Sequence, residues 1–532
     1  MMPFPLTLTH VLERCGELHA KTEIVSRLPD GSLNRYTYRD LYQRAKALGA
    51  AILKCGIGRG DRIATLMFNH HVHLESFFAI PTSGAVLHPL NWRLHPNDLA
   101  YIVNHAADRW LIVDDTLLPL LDAFKADVKL ERVVVFSCRG SKAQSGFTDY
   151  EAFLETAPTG MGAPTPDELD AATLCYTSGT TGRPKGVAYS HRALVLVAFA
   201  MAMADTTAIS QRDVLLQIVP MFHANGWGLP YAGAMAGAKL VLAGPGLEAA
   251  TLLQLLANER VTVTGAVPTT LLALLEALEK DPDRARSCKG VRIVCGGAAV
   301  PPELIRKLDS YGFHVIQCWG MTETGPMATS SFVKREFEGV GVERALGLRA
   351  TQGLTLPFVE RRLRTPDGLA PWDGRVPGEI EVRGPWVAAS YFNDPGAAGS
   401  WTGDGWLRTG DVATIDEDGY MRLTDRIKDL IKSGGEWISS IDLESTLMTH
   451  PAVAEVAVVS VPHPKWQERP LAIIVRKNGV AVTADELTAH LAPHFVRWAL
   501  PDGYVFVDSI PHTSVGKADK KKLRVDYKDW QP

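Results

Sequence analysis

Residues 176–186 read YTSGTTGRPKG. This run of eleven residues combines glycines and hydroxyl side chains with one lysine, Lys185. Glycines let backbone N–H groups approach phosphate oxygens, hydroxyls donate hydrogen bonds to them, and the lysine supplies positive charge. The run is not a Walker A loop, because Pro184 stands where that motif has glycine and Gly186 where it has serine or threonine. It predicts a polyphosphate-binding loop of a different type.

The segments around this loop alternate between helix-like and strand-like patterns. Thr37 begins a capping box, and residues 41–52 then place apolar side chains on one helical face. Short apolar runs predict buried strands at 62–68, 111–115, 133–136, 239–243 and 291–297. Strands that alternate with helices imply α/β layers with largely parallel sheets, in which ligands bind at the carboxyl ends of the strands.

The pattern changes beyond about residue 340, where short β-like runs at 378–384 and 406–425 predict a small β subdomain. The charged, glycine-ended segment 426–435 is interpreted as a linker. Strand-like runs at 453–462 and 471–477 then belong to a compact α+β tail of roughly a hundred residues, which is enough to fold alone. We therefore predict an α/β protein with a large N-terminal domain, a small β subdomain within it, and a small α+β C-terminal domain.

Composition excludes several classes of protein. The chain has 532 residues, of which 46% are apolar and 21% charged, and its formal net charge is −4. We therefore expect two or more globular domains and no basic surface for nucleic acid. No apolar run approaches the ~20 residues that span a bilayer, and the first residues lack the pattern of a signal peptide. Seven scattered cysteines without a CxxC pair favour a reducing cytoplasm over a disulfide framework or a zinc site.

The phosphate-binding run resembles that of the adenylate-forming superfamily, which includes acyl- and aryl-CoA synthetases, peptide-synthetase adenylation domains and beetle luciferases. The resemblance covers nearly the whole chain, because further motifs of this family follow in the expected order. These motifs are PMFHANGW (220–227), GGAA (296–299), WGMTETG (319–325), TGD (409–411), DRIKD (425–429), KSGGEWIS (432–439) and PHTSVGK (511–517). The resemblance implies an adenylation domain at 1–425, a hinge at 426–431 and a mobile C-terminal lid domain at 432–532.

A nucleotide site follows from the resemblance. It comprises Thr177, Ser178, Gly179, Thr180, Thr181, Lys185, Gly297, Ala298, Trp319, Gly320, Met321, Thr322, Asp411 and Arg426. The family usually has tyrosine at the position of Trp319, and either aromatic ring can stack on adenine. Asp411 is expected to accept hydrogen bonds from both ribose hydroxyls, and Arg426 to reach the ribose. Thr177 and Glu323 are expected to hold Mg²⁺, which prefers hard oxygen ligands and phosphates.

The resemblance also implies sites for the acid and for coenzyme A. His223 is expected near the substrate carboxylate and Trp227 in the wall of the acyl site, with Gly297 and Ala298 beside them. Small residues leave room for an acyl chain at Gly226, Ala298, Ala299 and Gly320. Ser433, Gly434 and Gly435 are expected to line the CoA tunnel, and Trp437 resembles a gate over the acyl tunnel of long-chain members. Purely structural roles for His223 and Trp437 stay open alternatives.

Catalytic roles are assigned to Lys517, Glu323, His223 and Thr177, and Lys428 is the expected pivot of the C-terminal domain. The implied activity is that of an acyl-CoA synthetase that uses ATP, Mg²⁺ and coenzyme A. The pattern most resembles bacterial medium- and long-chain fatty-acid–CoA ligases. The alternative is a CoA ligase for 3-methylmercaptopropionate or for another short, branched or aryl acid. A luciferase-like oxygenase, an acyl-AMP ligase that serves a carrier protein, and a non-catalytic nucleotide-binding protein stay open. Long-chain relatives imply a homodimer.

Overall fold

The structure is a computed structural model that describes residues 1–138, 146–159, 164–177, 183–246, 248–433, 436–513 and 517–531. Its strands are β1 (Glu23–Arg27), β2 (Leu33–Thr37), β3 (Arg62–Leu66), β4 (Val86–Pro89), β5 (Asp108–Asp114), β6 (Arg132–Phe136), β7 (Thr148–Asp149), β8 (Ala171–Tyr176), β9 (Gly186–Ser190), β10 (Val214–Gln217), β11 (Lys239–Leu242), β12 (Val263–Ala266), β13 (Arg292–Cys295), β14 (His314–Trp319), β15 (Thr329–Ser330), β16 (Leu354–Thr355), β17 (Glu360–Thr365), β18 (Gly368–Leu369), β19 (Gly378–Arg383), β20 (Leu407–Ile415), β21 (Met421–Arg426), β22 (Ile431–Ser433), β23 (Glu436–Ile438), β24 (Val453–His463), β25 (Gln467–Arg476) and β26 (Gly503–Val507).

The α-helices are α1 (Leu8–Leu18), α2 (Tyr38–Lys54), α3 (His71–Thr82), α4 (Pro96–Ala106), α5 (Leu118–Asp122), α6 (Tyr150–Glu155), α7 (His191–Ala202), α8 (Leu229–Ala236), α9 (Ala249–Asn258), α10 (Pro268–Lys280), α11 (Pro282–Ser287), α12 (Pro302–Ser310), α13 (Val342–Arg349), α14 (Ser440–Leu447), α15 (Ala484–Leu491) and α16 (Lys520–Asp526). In the part of the chain that the structure describes, none of these helices has the length and apolar character needed to cross a membrane.

Two large sheets build the N-terminal domain. One has the order β7-β6-β5-β3-β4-β8-β9 and is parallel except at β8–β9, which is the hairpin that carries the phosphate-binding run. The other has the order β16-β15-β14-β13-β12-β10-β11-β1-β2 and is parallel from β1 through β14. Helix α3 contacts strands of both sheets, while α7 packs on β9 and α8 on β10 and β11. The predicted layered α/β architecture is confirmed.

The predicted local patterns are also confirmed, with small differences in extent. Thr37 caps α2 in a capping box with Asp40, and the apolar face of this helix is buried. The strand predicted at 111–115 begins earlier, at Asp108. The sequence did not indicate this earlier start because Asp108 is charged. In the structure its carboxylate is buried and accepts a hydrogen bond from Nδ1 of His88 at 2.8 Å. A charged residue can be buried when its hydrogen bonds are satisfied, but it does not extend the apolar run by which a strand is predicted.

The β subdomain and the C-terminal domain form separate sheets. The first has the order β18-β17-β19-β20-β21, and the second has the order β23-β22-β25-β24 with β26 beside β25. Since β21 ends at Arg426 and β22 begins at Ile431, the connection outside regular strands spans only residues 427–430. This short segment lies within the predicted hinge, and it separates the N-terminal domain from the C-terminal domain.

Candidate active site

Two hydrogen bonds join the beginning and the end of the phosphate-binding run. The backbone N–H of Thr177 donates to the carbonyl oxygen of Lys185 at 2.9 Å, and the N–H of Lys185 donates to Oγ1 of Thr177 at 3.2 Å. Nζ of Lys185 lies 4.6 Å from the ring centroid of Tyr391. The predicted phosphate-binding residues Ser178, Gly179, Thr180 and Thr181 lie outside the described residues.

Glu323 is buried beside this loop. Only 5% of the residue is exposed, and the hydroxyl of Tyr391 donates a hydrogen bond to its Oε1. Burial raises the pKa of the Glu323 carboxyl, although the hydrogen bond from Tyr391 works in the opposite direction. Tyr391 therefore connects Lys185 to Glu323, a link that the motifs did not indicate, because Tyr391 belongs to none of them.

Trp319 at the end of β14, Asp411 in the middle of β20 and Arg426 at the end of β21 form a connected group. The indole N–H of Trp319 donates to Oδ2 of Asp411 at 2.9 Å, and Nε of Arg426 lies 3.0 Å from Oδ1 of the same carboxylate. Asp411 and Arg426 are cross-strand partners in the β20–β21 ladder. The tryptophan that replaces the usual tyrosine is thus a hydrogen-bond donor that orients the expected ribose-binding carboxylate.

Two glycines expected to leave room for an acyl chain do not do so. A Cβ on Gly320 would lie 1.8 Å from the carbonyl oxygen of Pro326, and one on Gly226 would lie 3.1 Å from Nε2 of Gln217. The space beside both residues is filled by the protein itself. The interpretation of Gly226 and Gly320 as room for the substrate is therefore wrong, because their missing side chains accommodate protein atoms.

Lys517 of the C-terminal domain reaches the N-terminal site. A Cβ on Gly297, whose φ is +90°, would lie 3.6 Å from Cε of Lys517. Burial and the positive charges of Arg426 and Lys428 together lower the pKa of the Lys517 ammonium to about 8, against the opposing effect of Asp411. The C-terminal domain is therefore placed so that its predicted catalytic lysine faces the predicted nucleotide-binding residues.

The segment around His223 is a tight turn with left-handed backbone angles from Ala224 to Trp227. Nε2 of Gln217 donates to the carbonyl oxygen of Gly226 at 3.2 Å and helps to hold this turn. Burial, together with the charges of Lys517 and Arg93, lowers the pKa of His223 to about 4. The imidazole is therefore neutral near pH 7, and it retains one donor and one acceptor nitrogen.

Trp227 is a fixed wall of the site. Only 6% of the residue is exposed. A Cβ on Gly265 or on Gly296 would lie 3.4 Å from an atom of its indole ring, so the ring packs against the backbone of two neighbouring strand ends. Larger side chains at these glycines would displace the ring.

A cavity of about 210 Å³ begins at His223 and Trp227. Its wall is mainly apolar and includes Phe68, Trp92, Val219, Ala266 and Val267, with the Arg93 side chain as a charged exception. Phe68 and Trp92 belong to no motif. They follow the parallel strands β3 and β4. The strand predicted at 62–68 was a signal for Phe68, because ligands bind at the carboxyl ends of such strands, whereas no strand was predicted at 86–89 to indicate Trp92.

Other predicted residues lie elsewhere in this arrangement. Ala298 is exposed, and Trp437 is 52% exposed on β23, where Nζ of Lys432 lies 5.7 Å from its ring centroid. Neither belongs to the cavity wall that the described residues form. Ser433 is buried and accepts a hydrogen bond from Arg469 at 2.9 Å. Gly434 and Gly435 lie outside the described residues.

Comparisons with known proteins show relatives along the whole chain. Residues 12–392 match the AMP-binding enzyme family, and residues 442–517 match the AMP-binding enzyme C-terminal domain. The chain is 47% identical to a long-chain-fatty-acid–CoA ligase of Thermus thermophilus, over 100% of this chain and 97% of that protein. It is 40% identical to a medium-chain-fatty-acid–CoA ligase of Ectopseudomonas oleovorans (99% and 97% covered) and 41% identical to a 3-methylmercaptopropionyl-CoA ligase of Ruegeria lacuscaerulensis (99% and 98% covered).

Solved structures extend the agreement to both domains. The anthranilate CoA ligase AuaEII in complex with anthranoyl-AMP gives a TM-score of 0.86 at 26% identity, with 99% of this chain and 98% of that chain covered. ATP-bound MatB from Rhodopseudomonas palustris gives 0.84 at 25% identity, with 99% of both chains covered. By sequence over its full length and by the arrangement of its site, the chain belongs to the AMP-binding enzyme family.

Proposed function

We propose that the protein is an ATP-dependent acyl-CoA synthetase that activates a medium- to long-chain fatty acid as acyl-AMP and transfers the acyl group to coenzyme A. The observation that carries this proposal is the convergence of Lys517 with Asp411 and Arg426 at one end of an apolar cavity. The full-length similarity to long- and medium-chain fatty-acid–CoA ligases supports the choice of substrate.

In the first half-reaction, the fatty-acid carboxylate attacks the α-phosphorus of ATP and pyrophosphate leaves. The protein contributes position and charge rather than covalent chemistry. The ammonium of Lys517 neutralises charge between the carboxylate and the α-phosphate. His223 is neutral and can donate a hydrogen bond to the carboxylate without adding a third positive charge to those of Lys517 and Arg93. Asp411 binds the ribose hydroxyls, and Trp319 and Arg426 hold the Asp411 carboxylate in place.

The site fits a divalent cation next to the phosphates. Glu323 offers a buried carboxylate close to the phosphate-binding run, and the raised pKa of this carboxyl indicates that burial disfavours its charge. A cation would compensate for that burial. Glu323 and Thr177 would hold Mg²⁺, which supplies charge neutralisation for the leaving pyrophosphate.

In the second half-reaction, the C-terminal domain turns about Lys428 and withdraws Lys517 from the site. The segment that contains Ser433, Gly434 and Gly435 then lines the path of the pantetheine arm, and Trp437 moves from its exposed position toward the acyl site. The CoA thiol attacks the acyl carbon, and AMP leaves. Such a rearrangement is a hinge motion of a kind that many enzymes use between steps.

The chain-length profile tests the proposed substrate. Each buried methylene contributes up to ~0.8 kcal/mol, so kcat/KM should rise steeply from acetate to octanoate in an assay of CoA-dependent pyrophosphate release. A panel of straight-chain, aryl and thioether acids measures this. A kcat/KM that is flat or falls with chain length would contradict a fatty-acid substrate. If the highest kcat/KM were then found with 3-methylmercaptopropionate, the substrate would be the short thioether acid named for the Ruegeria relative.

The metal role of Glu323 is tested by Glu323→Gln, which keeps the shape of the side chain and removes its charge. We expect the Mg²⁺ concentration for half-maximal adenylation to rise and the rate at saturating Mg²⁺ to fall. Glu336→Gln is the matched control, because Glu336 is an exposed residue paired with Lys334. An unchanged Mg²⁺ titration for folded Glu323→Gln excludes the proposed ligand role.

The pH dependence of adenylation tests the charge on Lys517. Since the pKa of Lys517 is lowered to about 8, the ammonium is charged below that pH and is lost as pH rises through it. Single-turnover pyrophosphate release should therefore decline above about pH 8, whereas Lys517→Arg should lack this decline because arginine stays protonated. A wild-type rate that stays level to about pH 10 would contradict the lowered pKa of Lys517 in the working enzyme.

We also infer a homodimer in the cytoplasm, on the resemblance to long-chain members and on the scattered free cysteines. Light scattering during size-exclusion chromatography measures the oligomeric state, and a monomer at micromolar concentration would exclude the dimer.

A further inference from the structure

A buried chain of polar side chains connects the two sides of the hinge. Oδ2 of Asp425 accepts hydrogen bonds from both the backbone N–H and the Oγ–H of Ser440, each at 2.6 Å. Nζ of Lys520 donates to Oγ of Ser440 at 2.6 Å and lies 2.7 Å from Oε1 of Glu444. We name these four residues, Asp425, Ser440, Glu444 and Lys520, the hinge network.

The members of the hinge network come from three elements. Asp425 belongs to β21, before the hinge, whereas Ser440 and Glu444 belong to α14, after it. Lys520 is the first residue of α16, three positions after Lys517. Asp425 is 1% exposed and Ser440 is fully buried. Buried charges are costly unless they are paired, so the network must form as a unit.

The charges of the network are balanced around Lys520. Burial disfavours the Lys520 ammonium, but the Glu444 and Asp425 carboxylates outweigh this effect and raise its pKa. Burial raises the pKa of the Asp425 carboxyl, and the charge of Lys520 opposes that shift. Without the Lys520 cation, the Asp425 carboxylate that Ser440 binds and the Glu444 carboxylate would lose their shared counter-ion. The ammonium is therefore required for the network to hold its geometry.

The loop that carries Lys517 leads directly into the helix that begins with Lys520. The N–H of Asp519 donates to the carbonyl oxygen of Pro511, and the N–H of Thr513 donates to the carbonyl oxygen of Lys517, both at 2.7 Å. These bonds close the loop at the start of α16, so the position of Lys520 determines where the loop begins. The same helix is bound to the hinge by the ion pair of Arg524 with Asp429.

We propose that Lys520 is a positioning residue for adenylation, which joins Asp425 of the N-terminal domain through Ser440 to the loop of Lys517. This inference rests on the proposed function. When the C-terminal domain turns about Lys428, Ser440 and Lys520 move with it while Asp425 stays on β21. The two hydrogen bonds from Ser440 to Asp425 must then break. The complete network exists only in the arrangement that presents Lys517, so it stabilises that arrangement and not the one that forms the thioester.

The test separates the two half-reactions in the full-length enzyme. Lys520→Met keeps the length of the side chain and removes its charge, and Lys521→Met at the exposed neighbouring position is the matched control. A misplacement of about 1 Å in a reacting group costs about 10²-fold in rate, so pyrophosphate release should fall by about 10- to 100-fold in Lys520→Met. The KM for ATP should change little, and conversion of supplied acyl-adenylate and CoA should stay within about twofold of wild type, because the broken contacts are absent in that step.

Further variants separate positioning from folding. Lys520→Arg should recover part of the adenylation rate, since it restores the cation. Ser440→Ala removes the Oγ contacts with Asp425 and Lys520 but keeps the pairing of Lys520 with Glu444, so it should lower adenylation alone and by less. Equal loss of both half-reactions in Lys520→Met and Ser440→Ala, or no loss in either, overturns the proposal. A wild-type enzyme that releases no pyrophosphate with any acid would instead overturn the proposed function.

Discussion

Lys517→Ala should lower pyrophosphate release by about 10²–10³-fold, which is the usual cost of removing one charged contact from a transition state. The structure gives the reason, because Cε of Lys517 lies next to Gly297 and the ammonium is close to Asp411 and Arg426. The lysine lies at the junction between the acyl cavity and the nucleotide residues. Pyrophosphate release in a single turnover, with saturating ATP and fatty acid, measures this effect.

The same variant should still convert supplied acyl-adenylate and CoA into thioester, because Lys517 has left the site in that step. Lys521→Ala is the control, since Lys521 is exposed and four residues away. The two half-reactions must be assayed separately, because a defect in either one stops the coupled reaction. Equal loss of both half-reactions in a folded Lys517→Ala protein would falsify the rotation of the C-terminal domain.

Much of this site was predictable because its residues occur in short motifs at the ends of strands. Glu323, Asp411 and Arg426 were each expected from local patterns, and the structure brings Asp411 and Arg426 together with Lys517 from a different domain. Trp319 ends a parallel strand of the large sheet, whereas Asp411 and Arg426 pair across the antiparallel strands β20 and β21, so residues from two different sheets converge at this point. A sequence with strong local motifs therefore indicates the composition of the site before its geometry is known.

Residues that act through tertiary contacts were not predictable. Tyr391 lies between Lys185 and Glu323, and Asp425 reaches Ser440 across the hinge, but neither contact leaves a pattern in the chain. Gly320 was visible in the sequence, but its structural role was not. The reason for its lack of a side chain is the carbonyl of Pro326, which only the fold places beside it.

The arrangement of the two domains could not be predicted from the sequence either. One chain must encode both the adenylating and the thioester-forming arrangement, so its motifs specify residues for both. Lys517 occupies the site in the present structure, while Trp437 is exposed and is not part of the cavity wall that the described residues form. The free-energy difference between the arrangements depends on a few contacts such as those of Asp425, and motifs do not report that difference.

Lys428→Pro should have the opposite effect to Lys517→Ala, with adenylation retained and thioester formation lost. Residue 428 lies in the short connection between β21 and β22, whose turn is held by the N–H groups of residues 427, 429 and 430. Proline at 428 leaves these three donors in place. Proline holds φ near −65° and restricts Ile427, which hinders the change of backbone angles that rotation requires.

Lys428→Gln is the matched variant, because it removes the charge and leaves the backbone free. It should keep both half-reactions, and it should move the alkaline decline of adenylation to higher pH, since the charge of Lys428 helps to lower the pKa of Lys517. Conversion of supplied acyl-adenylate and CoA, measured by rapid quench, compares the three proteins directly. If Lys428→Gln lost thioester formation as completely as Lys428→Pro, the side-chain charge and not the backbone rotation at residue 428 would be the cause. If Lys428→Pro formed thioester at the wild-type rate, the pivot would have to lie at another residue of the hinge.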